Sequence, residues 1–148
     1  DSKIIVATNQ TGSCTHAYLA LYRYDLLDNT IHWVANTDNI ASEISSQTGV
    51  HIAPLTHVAV DREGNPEPLL SSKMYYLVLI SNCNSIKFAG NAISENLNST
   101  PRLAFKIDNM NNSDLSAATI QTKFPTLTPE GEYLKRFFAA ITNVQTSN

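Results

Sequence analysis

Ala17-Tyr18-Leu19-Ala20-Leu21-Tyr22-Arg23-Tyr24 and, after a polar turn, Ile31-His32-Trp33-Val34-Ala35-Asn36 form the stretch on which the fold turns. In the first run Tyr18, Ala20, Tyr22 and Tyr24 alternate with Ala17, Leu19 and Leu21. A period of two with apolar side chains on both sides is that of an extended strand covered on both faces, as in the interior of a sandwich. The turn at 25–30 carries Asp28-Asn29 at its tip, so the two runs are predicted to close a hairpin.

Outward from this hairpin the chain keeps the same rhythm. Residues 4–8 read as a first strand, followed by a polar turn at 9–13 that contains Gly12. Ile40 and Ile44 stand four apart within 38–47, which fits one or two helical turns on a crossover and is too short for an independent helix. Residues 50–55 and 57–60 read as one interrupted strand, with Pro54 at an edge or bulge because proline cannot donate a ladder hydrogen bond. Beyond the polar loop 61–66, Tyr75-Tyr76-Leu77-Val78-Leu79-Ile80 is near-continuously apolar, and it is predicted to be a central strand buried on both faces. Further strands are expected at 86–89, 103–107 and 119–124. Thr128-Pro129-Glu130 has the residues of a helix start. Gly131 and the β-compatible Arg136-Phe137-Phe138-Ala139-Ala140-Ile141-Thr142 favour instead a turn and a last strand, with a loose tail at 145–148. About nine short strands, spaced roughly 10 to 15 residues apart, mark an antiparallel all-β sandwich with at most one short crossover helix.

The 148 residues, 43% apolar and 16% charged, suit one core, so residues 1–148 are expected to be a single domain. The net charge of −3 is small, and the ten Lys and Arg are scattered, which argues against a nucleic-acid partner. No apolar run approaches the ~20 residues of a spanning helix, so membrane insertion is not expected. Opening on Asp1, the chain reads as a processed or excised piece of a longer polypeptide. The N-x-[ST] triplets at Asn9, Asn98 and Asn111 are of a kind that an Asn- and Thr-rich chain produces by chance.

From residue 15 to about 90, the order of the Tyr- and Leu-rich run at 17–24, Ile31-His32-Trp33-Val34-Ala35-Asn36-Thr37, a crossover and the 75–80 run resembles that of bacteriophage virion domains. These are jelly-roll-like modules of head fibres, tail fibres and baseplates. The resemblance implies a jelly-roll-like sandwich located on the phage particle. Its expected partners are other virion proteins or copies of itself, with a host-surface glycan as a further partner. It brings no catalytic motif.

The chemistry-bearing residues agree with a non-enzymatic reading. His16, His32, His51 and His57 lie on predicted strands without the Cys or carboxylate spacing of a zinc site, so no metal and no cofactor are expected. There is no G-x-S-x-G elbow. Asp61-Arg62-Glu63-Gly64 lacks the alternating ligands and closing Glu of a calcium loop and reads as a turn. The 13 acids single out no glycosidase pair.

Cys14 precedes the 15–24 strand and Cys83 follows the 74–81 strand. Antiparallel pairing of those strands would bring the sulfurs together, and a bridge closing so long a loop would contribute on the order of 4 kcal/mol. Two reduced thiols are the alternative, since phage proteins assemble in a reducing cytoplasm.

Trp33 and Tyr24 are the candidate ligand-binding aromatics, because sugar-binding sandwiches stack tryptophan and tyrosine on pyranose faces. Trp33 alternates with Ile31 and Ala35, which favours core packing, and leaves Tyr24 beside the 25–29 turn as the more exposed contact. The loops at 36–39, 62–65 and 91–99 are candidate contact sites, as loops on sandwiches commonly are. The expected function is a virion structural or decoration module contacting the host surface; the alternative is a carbohydrate-binding module of a secreted protein.

Overall fold

The computed structural model describes residues 2–92, 105, 115–129 and 135–143. Two antiparallel sheets dominate. In the first, β1 (Lys3–Gln10) is central: β4 (Gly49–Pro54) pairs along one side, and β11 (Ala139–Ile141) and β7 (Lys87–Phe88) lie end to end along the other. In the second, β2 (Ala17–Asp25) lies between β6 (Tyr75–Ser81) and β3 (Thr30–Asn36), and the far side of β3 is shared by β5 (His57–Val58) and β9 (Thr126–Leu127). A ribbon of β8 (Gly90–Ala92) and β10 (Lys135–Phe137) completes the strands. The fold is all-β, with the two sheets packed as in a sandwich.

The period of two in the 17–24 run explains the layering. Ala17, Leu19 and Leu21 enter the core shared with Ile4 and Val6 of β1 and Ala53 of β4. Tyr18, Ala20 and Tyr22 point the other way, into a second cluster with Ile31, Tyr76, Ile80, Leu115 and Ile120. β2 is therefore the middle strand of a middle layer, with residues 17–22 all buried. Val78 and Ile80 of β6 face the second cluster while Leu77 and Leu79 face the first, as its near-continuous apolar run predicts. Among the described residues β6 pairs with β2 alone, so the doubly buried central position belongs to β2.

Three sequence expectations change. The first concerns residues 119–124, which are not a strand: Ala117–Thr122 form helix α2, so the fold has a second helix beside the crossover helix α1 (Ala41–Ser46). Ser116 caps α2 by accepting from the Thr119 N–H at 3.1 Å, and Ile120 is buried against sheet 2. Tertiary burial of one apolar stripe overrides the strand preference of Thr119 and Ile120.

The second is the stretch expected to be one interrupted strand, which is two strands in different sheets. β4 pairs with β1, the chain crosses the sandwich at Leu55-Thr56, and β5 pairs with β3. The third is the face of Trp33. Leu21 opposes Ala35 while Tyr22 opposes Trp33, so Val34 is an extra residue on β3. This bulge turns Val34 and Ala35 into the first core and leaves Trp33 with Ile31 in the second. Trp33 and Ala35 do not share a face.

The final strand expected at 136–142 is present as β10 and β11. The strand expected at 103–107, apart from Phe105, and the polar stretch 108–114 lie outside the described residues. So do Glu130, Gly131 and the tail at 145–148.

Candidate functional site

The end of the sandwich where β2 begins is closed by side chains. Asn82 Oδ1 accepts from the N–H groups of Thr15 (3.2 Å) and His16 (2.9 Å). Asn39 Oδ1 accepts from Ala17 and Ala41, each at 3.0 Å. Ser13 and Asn84 exchange backbone hydrogen bonds just beyond the Ala17 to Ser81 end of the β2–β6 ladder, and Cys14 and Cys83 are joined there in a disulfide. Gly12 passes so close that a Cβ on it would stand 2.1 Å from the Asn84 carbonyl oxygen, so the crossing tolerates only glycine.

The two candidate stacking aromatics are not free platforms. Trp33 is half-buried and its indole N–H donates to Asn36 Oδ1 at 3.0 Å, while Asn36 itself has no exposed surface. Tyr24 is half-buried too: its hydroxyl donates to Asn29 Oδ1 at 3.0 Å, and its ring stands edge-on to Tyr76 with centroids 6.1 Å apart. Of the loops expected to make contacts, 36–39 opens with the buried Asn36 and Thr37, which tie the crossover down. Residues 62–65 are exposed. Only the first two residues of 91–99 are described, and both are exposed.

Folding assembles polar clusters that linear spacing concealed. At the hairpin end, ligand atoms of Asp25, Asp28 and His32 all lie within 4.8 Å of one another. The Thr30 hydroxyl donates to Asp28, and this bond holds the Asp28 carboxyl below the usual carboxylate range. His32 Nε2 lies 3.0 Å from Thr30 Oγ1 and 3.8 Å from Asp25 Oδ2, and its Nδ1 is 3.2 Å from Thr126 Oγ1. Two carboxylates and an imidazole are donors that a divalent ion accepts. The same atoms also close the hairpin and fix β9 to β3. The i, i+3, i+7 spacing becomes visible only once the turn at 25–30 is taken as a loop that folds its ends together.

A second cluster has the residue order of a hydrolytic triad. Thr8 Oγ1 lies 2.9 Å from His51 Nε2, and His51 Nδ1 lies 3.5 Å from Glu43 Oε1. Thr8 and His51 are each only 3% exposed, and the Thr8 hydroxyl also reaches the Gln47 carbonyl at 3.4 Å. A nucleophile must meet its substrate. This hydroxyl is sealed between layers, and the cluster serves as a polar staple from α1 to sheet 1. On the opposite side of the crossover His57 Nε2 and Asp38 Oδ1 are 2.7 Å apart, and hydrogen bonds from His57 and then Thr56 lower the Asp38 carboxyl.

Apolar side chains are also exposed on the outer face of sheet 1. β4 alternates, with His51 and Ala53 buried and Val50 and Ile52 exposed at 69% and 55%. Val50 opposes Ala7, Ile52 opposes Ile5, and Ile5 opposes Ala140 on its other side. These five side chains make an uncharged apolar strip beside an open edge, since β4 has β1 as its sole strand partner among the described residues. No described helix is long and apolar enough to cross a membrane. The chain matches no family model, no curated protein and no solved structure.

Proposed function

We propose that this chain is a non-catalytic, jelly-roll-like structural or decoration module of a phage particle, and that it works by docking sheet 1 onto another particle protein or a second copy. The observation that carries the docking role is the apolar strip of Val50, Ile52, Ile5, Ala7 and Ala140 on the outer face of sheet 1, bordered at one end by the exposed Lys3. The particle assignment is supported by the strand pattern at 15–90. Contact with a host surface would fall to exposed loops such as the β2–β3 turn, where Leu26 and Leu27 stand 71% and 96% exposed.

The test is mass spectrometry of purified virions, with copy number, beside the solution mass of the isolated chain. High and symmetric copy number in the particle is the expected result. A strictly monomeric, secreted chain that docks onto no particle protein would overturn the proposal.

A further inference from the structure

We propose that Cys14 and Cys83 form a redox lock: the chain folds fully as a dithiol, and a low-molecular-weight disulfide then oxidises the pair and fastens two crossovers that are already in place.

The topology puts the pair where it acts between the sheets and not within them. β1 continues into β2 through 11–16, and β6 into β7 through 82–86. β1 pairs with β7 in sheet 1 and β2 with β6 in sheet 2, so the two links pass from sheet to sheet side by side. The disulfide joins one link to the other, beyond the last β2–β6 rung of Ala17 with Ser81. Opening it removes no ladder bond and leaves both side chains against the first core cluster.

The crossovers are held together without the sulfurs. The Ser13 N–H donates to the Asn84 carbonyl at 3.0 Å and the Asn84 N–H to the Ser13 carbonyl at 2.8 Å. Asn82 donates its backbone N–H to the His16 carbonyl at 3.1 Å and its side-chain amide to Thr15 Oγ1 at 2.6 Å, and Gln10 Nε2 donates to the Ser85 carbonyl at 2.6 Å. Gly12 lies against the chain at 84–86 in a space that no Cβ could enter. With residues 17–22 buried and β2 laddered to β6 from Ala17 to Arg23, these contacts set the two sulfurs side by side in the dithiol chain as well.

The dithiol state also has a hydrogen bond ready. Cys14 Sγ lies 3.5 Å from the His16 carbonyl oxygen, which can accept from a thiol S–H and has nothing to accept from a disulfide sulfur. Both cysteines are half-buried, so part of each is open to a small solute. One cysteine thiolate attacks a sulfur of oxidised glutathione and displaces a glutathione thiolate. The second cysteine thiolate attacks the mixed disulfide, closes the bond between Cys14 and Cys83 and releases the other glutathione. The two cysteine protons end on the two glutathione thiols, and the two electrons given up by the cysteines reduce the glutathione disulfide. Folding and bonding are linked, so the fold favours the bond by the factor by which the bond favours the fold. For a separation of 69 residues that factor is about a hundredfold.

The experiment takes the full 148-residue chain, reduced with a phosphine, through glutathione buffers of increasing oxidised fraction, read by NMR and by alkylation of free thiols. The reduced chain should keep the native amide spectrum, with Leu19 and Leu21 protected and shifts confined to 11–16 and 82–86. Once the bond closes, the Ser13 and Asn84 amides should exchange about tenfold more slowly, because they reach water when the crossovers part. The oxidation equilibrium should favour the disulfide about a hundredfold more in the folded chain than in concentrated urea. A chain carrying Cys14→Ser and Cys83→Ser should match the reduced chain and ignore the buffer.

A reduced chain in which Leu19 and Leu21 lose protection overturns the proposal, since the bond would then build the fold. Oxidation no more favourable in the folded chain than in urea overturns it too, because the fold would not align the thiols. Unchanged exchange at Ser13 and Asn84 on oxidation means that the bond fastens nothing, and the lock fails.

Discussion

Tyr22 shows how burial sets the chemistry of a single side chain. It has no exposed surface, its hydroxyl donates to the Phe124 carbonyl at 3.2 Å, and burial pushes its phenol far above 10.0. Above pH 10 the unfolded chain gives up this proton while the folded chain keeps it, so stability that is complete below that pH falls as pH rises. Urea unfolding at increasing pH should show a steeper alkaline loss for the native chain than for Tyr22→Phe; parallel curves would contradict it. At neutral pH the same substitution should cost about 1 kcal/mol, the net worth of one hydrogen bond. Trp33 obeys a related rule. Trp33→Phe keeps an aromatic ring but strands the buried Asn36 oxygen, and thermal or urea unfolding should register a loss of about 1 to 2 kcal/mol. A tryptophan acting only as a surface platform would leave stability unchanged.

At the scale of elements, the ends of β2 and α2 carry the local specificity. The disulfide closes a separation of 69 residues just past the last rung of β2 with β6, so its loss releases a long loop in the unfolded chain. Replacing Cys14 and Cys83 by serine should lower the unfolding free energy by about 2 to 4 kcal/mol, and reductant should affect the native chain alone. For α2, Ser116→Ala removes the cap on the Thr119 N–H and should cost about 1 kcal/mol, with Ser116→Asp close to neutral.

What the sequence disclosed at this scale follows from how far each signal reaches. The 17–24 and 75–80 runs declare strands because their period is local. The helix at Ala117–Thr122 was hidden because Thr119 and Ile120 prefer strands, and only the surface of sheet 2 beneath them decides otherwise. The bulge at Val34 is invisible in β3 alone, as it exists only in the register with β2, and it shifted the expected face of Trp33 relative to Ala35. The open edge was readable in part. Pro54 pointed to an edge, but the exposure of Val50 and Ile52 needed the sheet order.

Across the whole molecule, the layers predict an order of opening. β2 has a long partner on each side and apolar clusters on both faces, so its amides cannot reach water unless the ladders to β3 and β6 part and both clusters are breached. The β8–β10 ribbon has three residue pairs, and Gly90, Asn91, Ala92, Lys135 and Arg136 are all exposed. Free energies of local opening scale with what must be separated, from near zero at fraying ribbons to the global value in the core. Native-state hydrogen exchange should therefore give Leu19 and Leu21 the slowest amides, matching the unfolding free energy from urea. The ribbon amides should exchange with little dependence on urea, because so little surface is exposed when they open. Were the ribbon to exchange as slowly as β2, the two would form one cooperative unit, and the middle layer would not be the last part of the fold to give way.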